Sequence, residues 1–283
     1  MKIMAKTAAF FSLALLSLSS VFAASDGMKN HKWNFTQYGA STSSSINNHE
    51  ILDEKNLSVK LNSCLVDEKT GLPSKKGGKF MSYFDGISYY YTVVDAKKEN
   101  FTLSADVYVD YINPNPDGQE GFGILVSDSL GTDGAKDEVH YTNSAAVMAW
   151  KFSMTDSEGK KHSVKDGMGA RFVSGITKEV MAKGDTEVTT HANKFAQAFD
   201  YGKDATIKSG KTYRITMKKD NTGYHAIYSD SKSAKEYIMY DPAKLTRLDE
   251  DHVYVGFVVA RGCNATFKNI DFQIRTPEED PAL

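Results

Sequence analysis

Residues 101–111 read Phe101-Thr102-Leu103-Ser104-Ala105-Asp106-Val107-Tyr108-Val109-Asp110-Tyr111. Successive side chains on a strand point to opposite faces. Phe101, Leu103, Ala105, Val107, Val109 and Tyr111 therefore share one face, and Thr102, Ser104, Asp106, Tyr108 and Asp110 share the other. Such alternation marks a half-buried strand. Asn113-Pro114-Asn115-Pro116-Asp117-Gly118 ends it, because proline cannot donate to a ladder and Asp-Gly suits a turn.

The same period continues in both directions. Residues 121–127 and 146–153 read as strands, the second with Met148, Trp150 and Phe152 on one side. Tyr213, Ile215 and Met217 alternate with Arg214, Thr216 and Lys218, and Asp220-Asn221-Thr222-Gly223 turns them into a hairpin with 224–229. Val253, Val255, Phe257 and Val259 form a buried strand, and Phe267, Ile270, Phe272 and Ile274 a last one, whose odd first step predicts a bulge near Asn269. Residues 57–61, 79–84 and 87–94 are earlier strand candidates. Only 194–199 and 242–248 read as short helical turns, and the polar 156–211 stretch reads as two or three short strands with large loops. Many short strands without intervening helices predict an all-β, antiparallel two-sheet β-sandwich rather than a βαβ fold.

The chain has 283 residues with 34 Lys+Arg against 36 Asp+Glu. This balance gives no electrostatic reason to expect nucleic acid as a partner. Residues 1–23 have the layout of a signal peptide: Lys2 and Lys6, an apolar run from 8 to 18, and Val21-Phe22-Ala23 before the expected cleavage. The run is too short to cross a hydrocarbon core about 30 Å thick. We therefore expect a secreted protein, extracellular or periplasmic, with no membrane span once the signal is removed. One sandwich domain would cover 24–275, followed by a polar tail, 276–283. In an oxidising compartment Cys64 and Cys263 are expected to form a disulfide, whose loop-closure entropy is worth about 5 kcal/mol; two buried thiols are the alternative.

Catalytic signatures are missing. The acidic clusters are runs of neighbours, whereas acids sharing a strand face must stand two or four apart. Asp106 and Asp110 meet that spacing, and cross-strand charge balance explains them equally well. The seven histidines form no HxH, HExxH or HxxxH ligand pair, and there is no Gly-x-Ser-x-Gly elbow or phosphate loop. These motifs make no cofactor certain. A structural calcium ion is the one candidate, held by Asp128, Asp133 and Asp137 in a loop around Gly131 and Gly134; their spacing is not that of an EF-hand, and an acidic turn is the plainer reading.

Several blocks carry a family likeness: Trp33-Asn34-Phe35, the 101–109 strand, Gly121-Phe122-Gly123-Ile124-Leu125-Val126, the 213–228 hairpin, Val255-Gly256-Phe257-Val258-Val259-Ala260-Arg261 and Ala265-Thr266-Phe267-Lys268-Asn269-Ile270. The chain resembles the concanavalin-like, laminin-G-like jelly rolls, and most of all the accessory domain of secreted bacterial pectate lyases. The resemblance implies a jelly-roll sandwich and a polysaccharide or oligosaccharide partner. Its motifs are fold motifs that transfer no ligand site, and with no catalytic β-helix before Leu283 no lyase activity is carried over. We expect a carbohydrate-binding domain that does not cut, for pectin-like or other acidic polysaccharide, with Asp106, Tyr108, Asp110, Trp150, Tyr254 and Arg261 as its binding surface. A sandwich lyase or hydrolase, or a protein-binding module, is the alternative.

Overall fold

The computed structural model describes residues 26–81, 85–152, 158, 165–191, 196–200, 207–229 and 234–280. The expected signal peptide, 1–23, lies outside them. The elements are α1 (Asp26–Asn30), β1 (Asn34–Tyr38), β2 (Asn48–Asp53), β3 (Ser58–Asn62), β4 (Cys64–Val66), β5 (Pro73–Lys76), β6 (Ile87–Asp95), β7 (Asn100–Ile112), β8 (Gln119–Ser127), β9 (Ser144–Phe152), β10 (Lys165–Val173), α2 (Lys178–Met181), α3 (Asp185–His191), β11 (Ala196–Asp200), β12 (Thr212–Lys219), β13 (Gly223–Ser229), β14 (Ala234–Tyr240), β15 (His252–Ala260) and β16 (Cys263–Arg275). Two seven-stranded antiparallel sheets face each other. The first runs β1-β6-β15-β8-β9-β10-β11, the second β14-β13-β12-β7-β16-β3-β2, and β4-β5 form a small sheet apart.

The period-two pattern places the core. Phe101, Leu103, Ala105, Val107 and Val109 of β7 are buried and face Phe122, Ile124 and Val126 of β8 and Val253, Val255, Phe257 and Val259 of β15 in one cluster. The rings of Phe257 and Phe267 stack across the two sheets, centroids 4.6 Å apart. Full burial of each such side chain contributes about 1.5–3 kcal/mol. The expected bulge is present: Asn269 has φ 50° and the β16–β7 register shifts between Lys268 and Asp271. Asparagine tolerates that left-handed backbone better than most residues.

Three local expectations change. Of the strand expected at 79–84, the described residues 79–81 form none, Lys79 only bridging Gly86, and 82–84 lie outside the described residues. Of the short helical turn expected at 194–199, residues 194–195 lie outside the described residues and 196–199 belong to strand β11, because the open edge of β10 offers a ladder that outweighs a weak local preference. The 156–211 stretch holds β10, β11 and two short helices, whose Val180 and Val188 pack with Tyr141, Val173 and Ile176 in a satellite cluster. The tail is no loose end up to Asp280: Asn221 Nδ2 donates to the Pro277 carbonyl at 2.8 Å, and Arg275 pairs with Asp280 at 3.3 Å.

The disulfide expectation is corrected. An early segment and a late strand do meet, but Cys64 and Cys263 are buried free thiols. Cys263 points into the inter-sheet core. Its neighbour Asn264 takes the opposite face, where Asn264 Oδ1 accepts the Cys64 N–H at 3.1 Å and lies 3.5 Å from Cys64 Sγ. Cys64 is thus docked on Asn264. Burial pushes its thiol up to about 12.

Candidate functional site

The six residues expected to form one binding surface are divided between opposite sides of the molecule. Asp106, Tyr108 and Asp110 lie on the outer face of the second sheet, whereas Trp150 and Tyr254 lie on the outer face of the first. The β7 trio is engaged by its neighbours. Asp106 accepts from Arg214 Nη1 at 3.2 Å and Asn269 Nδ2 at 2.7 Å, and Asp110 accepts from Thr266 Oγ1 at 2.7 Å. The Lys268 ammonium sits 5.4 Å from the centre of the Tyr108 ring. This is the cross-strand charge balance weighed above. Arg261 has φ 64° and places its guanidinium on Asp117, with Nη2–Oδ2 at 2.6 Å. It stands at the end of β15 remote from Tyr254, about 23 Å away at strand rise.

The outer face of the first sheet has its own construction. Read across β6, β15, β8, β9 and β10, one row is Tyr91, Gly256, Leu125, Ala146, Arg171, and the next is Tyr89, Val258, Gly123, Met148, Gly169. A third holds Ala260, Gly121, Trp150 and Gly167. Large side chains alternate with small ones, so the large ones lie down over their neighbours. A Cβ on Gly123 would stand 2.7 Å from the Met148 Cβ, and one on Gly121 would stand 2.9 Å from the Phe80 ring. Trp150 is only 2% exposed in this layer, which takes it out of direct ligand contact. Arg171 is not surface charge either. It is 1% exposed, lies 5.8 Å from the Phe80 ring and 5.7 Å from the Trp150 ring, and clamps Asp85 and the Met81 carbonyl. These contacts pin Met81 and Asp85, on either side of the undescribed 82–84, over this end of the sheet.

The other end is open. Tyr91 and Tyr254 are half-buried, their rings nearly perpendicular with centroids 5.9 Å apart. Beneath them Tyr89 is fully buried, its hydroxyl set between the carbonyls of Leu125 (3.0 Å) and Tyr254 (2.7 Å). Carboxylates border the pair. Asp133 accepts from Thr36 Oγ1 at 2.8 Å, and Asp249 Oδ2 lies 3.5 Å from the Tyr254 hydroxyl and 3.3 Å from His252 Nδ1. Burial pushes the Tyr254 phenol up, and the Asp249 charge adds to it. Burial and Asp133 raise Tyr91 in the same way. Tyr91 has a signal in the sequence, since in Tyr89-Tyr90-Tyr91 the outer two must face away from the middle one. Nothing local points to Asp249.

The three aspartates assigned to calcium do not converge. Asp128 is fully buried and its carboxylate accepts from Thr142 Oγ1 (3.1 Å), Asn143 N (3.0 Å), Asn143 Nδ2 (2.7 Å), Arg247 N (3.1 Å) and Leu248 N (3.1 Å). Asp133 serves β1, and Asp137 accepts the Ser41 N–H at 2.8 Å. Among the described residues no group of three His, Cys, Asp or Glu side chains is placed to hold a metal ion. Each aspartate is instead an acceptor for a different backbone segment.

Two packed antiparallel sheets with this strand order define a jelly-roll β-sandwich. The chain belongs to the Pectate disaccharide-lyase N-terminal domain family, which it matches over residues 29–277. It is 30% identical over 251 residues to pectate lyase L of Thermoclostridium stercorarium, covering 88% of this chain and 18% of that protein. It is 27% identical over 277 residues to the pectate disaccharide-lyase of Dickeya chrysanthemi, covering 91% of this chain and 35% of that protein. The chain thus spans about a fifth to a third of the length of these relatives. Among solved structures it is similar to the basic winged bean lectin with Tn-antigen, with a TM-score of 0.49, 12% identity, and coverage of 88% of this chain and 100% of that one. It is also similar to the alginate lyase from Alteromonas sp. 272, with a TM-score of 0.39, 10% identity, and coverage of 82% and 95%.

Proposed function

We propose that this domain is an exported polysaccharide-binding module that holds its glycan on the Tyr91–Tyr254 shelf without cutting it. The observation that carries the reading is the shelf itself: two partly exposed phenol rings on a rigid sheet, with Asp133 and Asp249 at their edge. The C–H face of a pyranose packs on such rings, and ionised carboxylates accept hydrogen bonds from its hydroxyls. Kinship with pectate lyases supports a pectin-class polysaccharide as the partner.

Binding without cleavage is favoured by the direction of the tyrosine shifts. A tyrosine acting as the base of an elimination needs its pKa brought toward the working pH. Tyr254 moves the other way, raised by burial and by the neighbouring Asp249. Export rests on the 1–23 leader; among the described residues no helix is long and apolar enough to cross a membrane.

The test is a binding panel that includes polygalacturonate, with product release followed in parallel. Tyr91→Ala and Tyr254→Ala are each expected to weaken binding by about 1–3 kcal/mol, the range for loss of an aromatic anchor. Unsaturated sugar ends in the panel would make the domain a lyase and overturn the reading. Unchanged binding in both variants would remove the shelf. N-terminal sequencing of exported protein is expected to begin at Ala24.

A further inference from the structure

A second opening lies at the edge where the two sheets diverge. β1 and β2 are the outermost strands on that side of the first and second sheets. Beside β2, and lined also by α1, by Trp33 just before β1 and by Tyr90 of β6, is a cavity of about 440 Å³, within the range of about 300–1,000 Å³ typical of small-ligand sites. Its floor is aromatic. Trp33 stacks on Tyr90 at 5.5 Å and 15°, and on Phe257 at 5.8 Å and 8°, while Phe272 meets it edge-on at 5.8 Å. These contacts hold the indole in one position, so a ligand packing on it would meet a surface already ordered.

The rim of this crevice carries the opposite charge from the tyrosine shelf. Lys29 of α1 and Lys55 of the β2–β3 turn both line it and are exposed, against one lining carboxylate, Glu54. Among the described residues neither lysine makes an ion pair, although Lys55 acts electrostatically on Asp53. The shelf is bordered by Asp133 and Asp249, which suit the hydroxyl side of a sugar, whereas the crevice rim offers cations for a carboxylate. A ring-shaped apolar floor under two uncommitted ammonium groups matches a pyranose that bears a carboxylate.

From this we infer that the Trp33 crevice is a subsite for a uronic-acid residue, which packs against Trp33 and Tyr90 while Lys29 and Lys55 hold its carboxylate. The inference rests on the carbohydrate-binding reading and adds to it a second contact point and the charge of the sugar. Tyr90 and Tyr91 are neighbours on β6 that face opposite sides of the first sheet, so crevice and shelf are separate surfaces.

The test uses the purified chain with trigalacturonate and its carboxyl-reduced counterpart as probes, read by calorimetry and by acrylamide quenching of tryptophan emission. Trp150 is 2% exposed, so the quenchable emission reports Trp33. Trigalacturonate is expected to protect Trp33. The Lys29→Gln/Lys55→Gln double variant is expected to lose at least about tenfold in affinity for it at low salt, with the difference shrinking as salt is added, while Lys29→Arg/Lys55→Arg retains binding. The carboxyl-reduced probe should not distinguish the variants. Equal affinity of the wild type and the glutamine variant, or saturable binding with Trp33 unprotected, overturns the inference. In that outcome, loss of binding in Tyr91→Ala leaves the shelf standing, whereas silence on every glycan removes both readings.

Discussion

Replacing Asp128 tests whether this residue is a structural acceptor or a metal ligand. Asp128→Ala withdraws both oxygens from five donors in a fully buried site. Only Thr142 Oγ1 has another acceptor within reach, the Asn143 carbonyl at 3.0 Å; Asn143 Nδ2 already gives its second hydrogen to the Ile176 carbonyl at 2.8 Å. The backbone N–H groups of Asn143, Arg247 and Leu248 and one hydrogen of Asn143 Nδ2 are the ones left stranded. At about 1–3 kcal/mol for each buried unsatisfied group, and with water able to enter the vacated space, the loss comes to about 3–6 kcal/mol. For a domain of this size that lowers Tm by about 6–24 °C. Asp128→Asn should be nearly as damaging, because its NH2 faces donors at either oxygen position. The assay is thermal unfolding by circular dichroism, with the circular dichroism spectrum at 20 °C checked first, in calcium and in chelator. A wild-type Tm that follows calcium, or an Asn variant within about 1 kcal/mol of wild type, would refute the assignment of Asp128 as a purely structural acceptor.

Trp150→Ala is expected to destabilise the fold by about 3–5 kcal/mol, as for a large buried aromatic, with affinity per folded molecule unchanged; selective loss of binding at full stability would return Trp150 to the site. Thiol titration should find Cys64 and Cys263 unreactive in the native protein and two thiols after denaturation, and a native mass lower by two hydrogens would contradict this. Asp117 is driven up by burial, but the hydrogen bonds and charges of Arg261 and Lys76 prevail and hold it well below 3.8. Its stabilising effect is therefore present above that unfolded value and is lost as pH falls through the lower folded one. Asp117→Asn should flatten the acid limb of stability against pH. Lys219 is lowered to about 8, chiefly by burial. Above that pH the folded state releases its proton before the unfolded chain does, so stability rises from about pH 8 towards 10.5, and Lys219→Met should remove that slope.

Much of the architecture was legible because sheet burial writes itself into a two-residue period. The 101–111 segment became β7 with the predicted faces as far as Val109, where a second register shift turns Tyr111 out of the core and puts Ile112 in it, and the odd step before Ile270 marked a real bulge. Where the local signal was weak, pairing decided: 196–200 took strand form on the free edge of β10. The binding surface was less legible for a related reason. Alternation shows that Asp106 and Tyr108 face one way and that Met148 and Trp150 share a side, but it does not say which sheet each strand joins.

The sequence by itself determined the class of fold, the inward faces of the main strands and the hairpin at Asp220–Gly223. These follow from backbone geometry and turn chemistry acting over a few residues. Only the tertiary structure decided that Trp150 and Arg171 are buried against Phe80, that Asp249 comes to Tyr254, and that Trp33 stacks on Tyr90. Those contacts join residues far apart in the chain, and they depend on strand order and on which segments fold over the sheet, which no local period encodes.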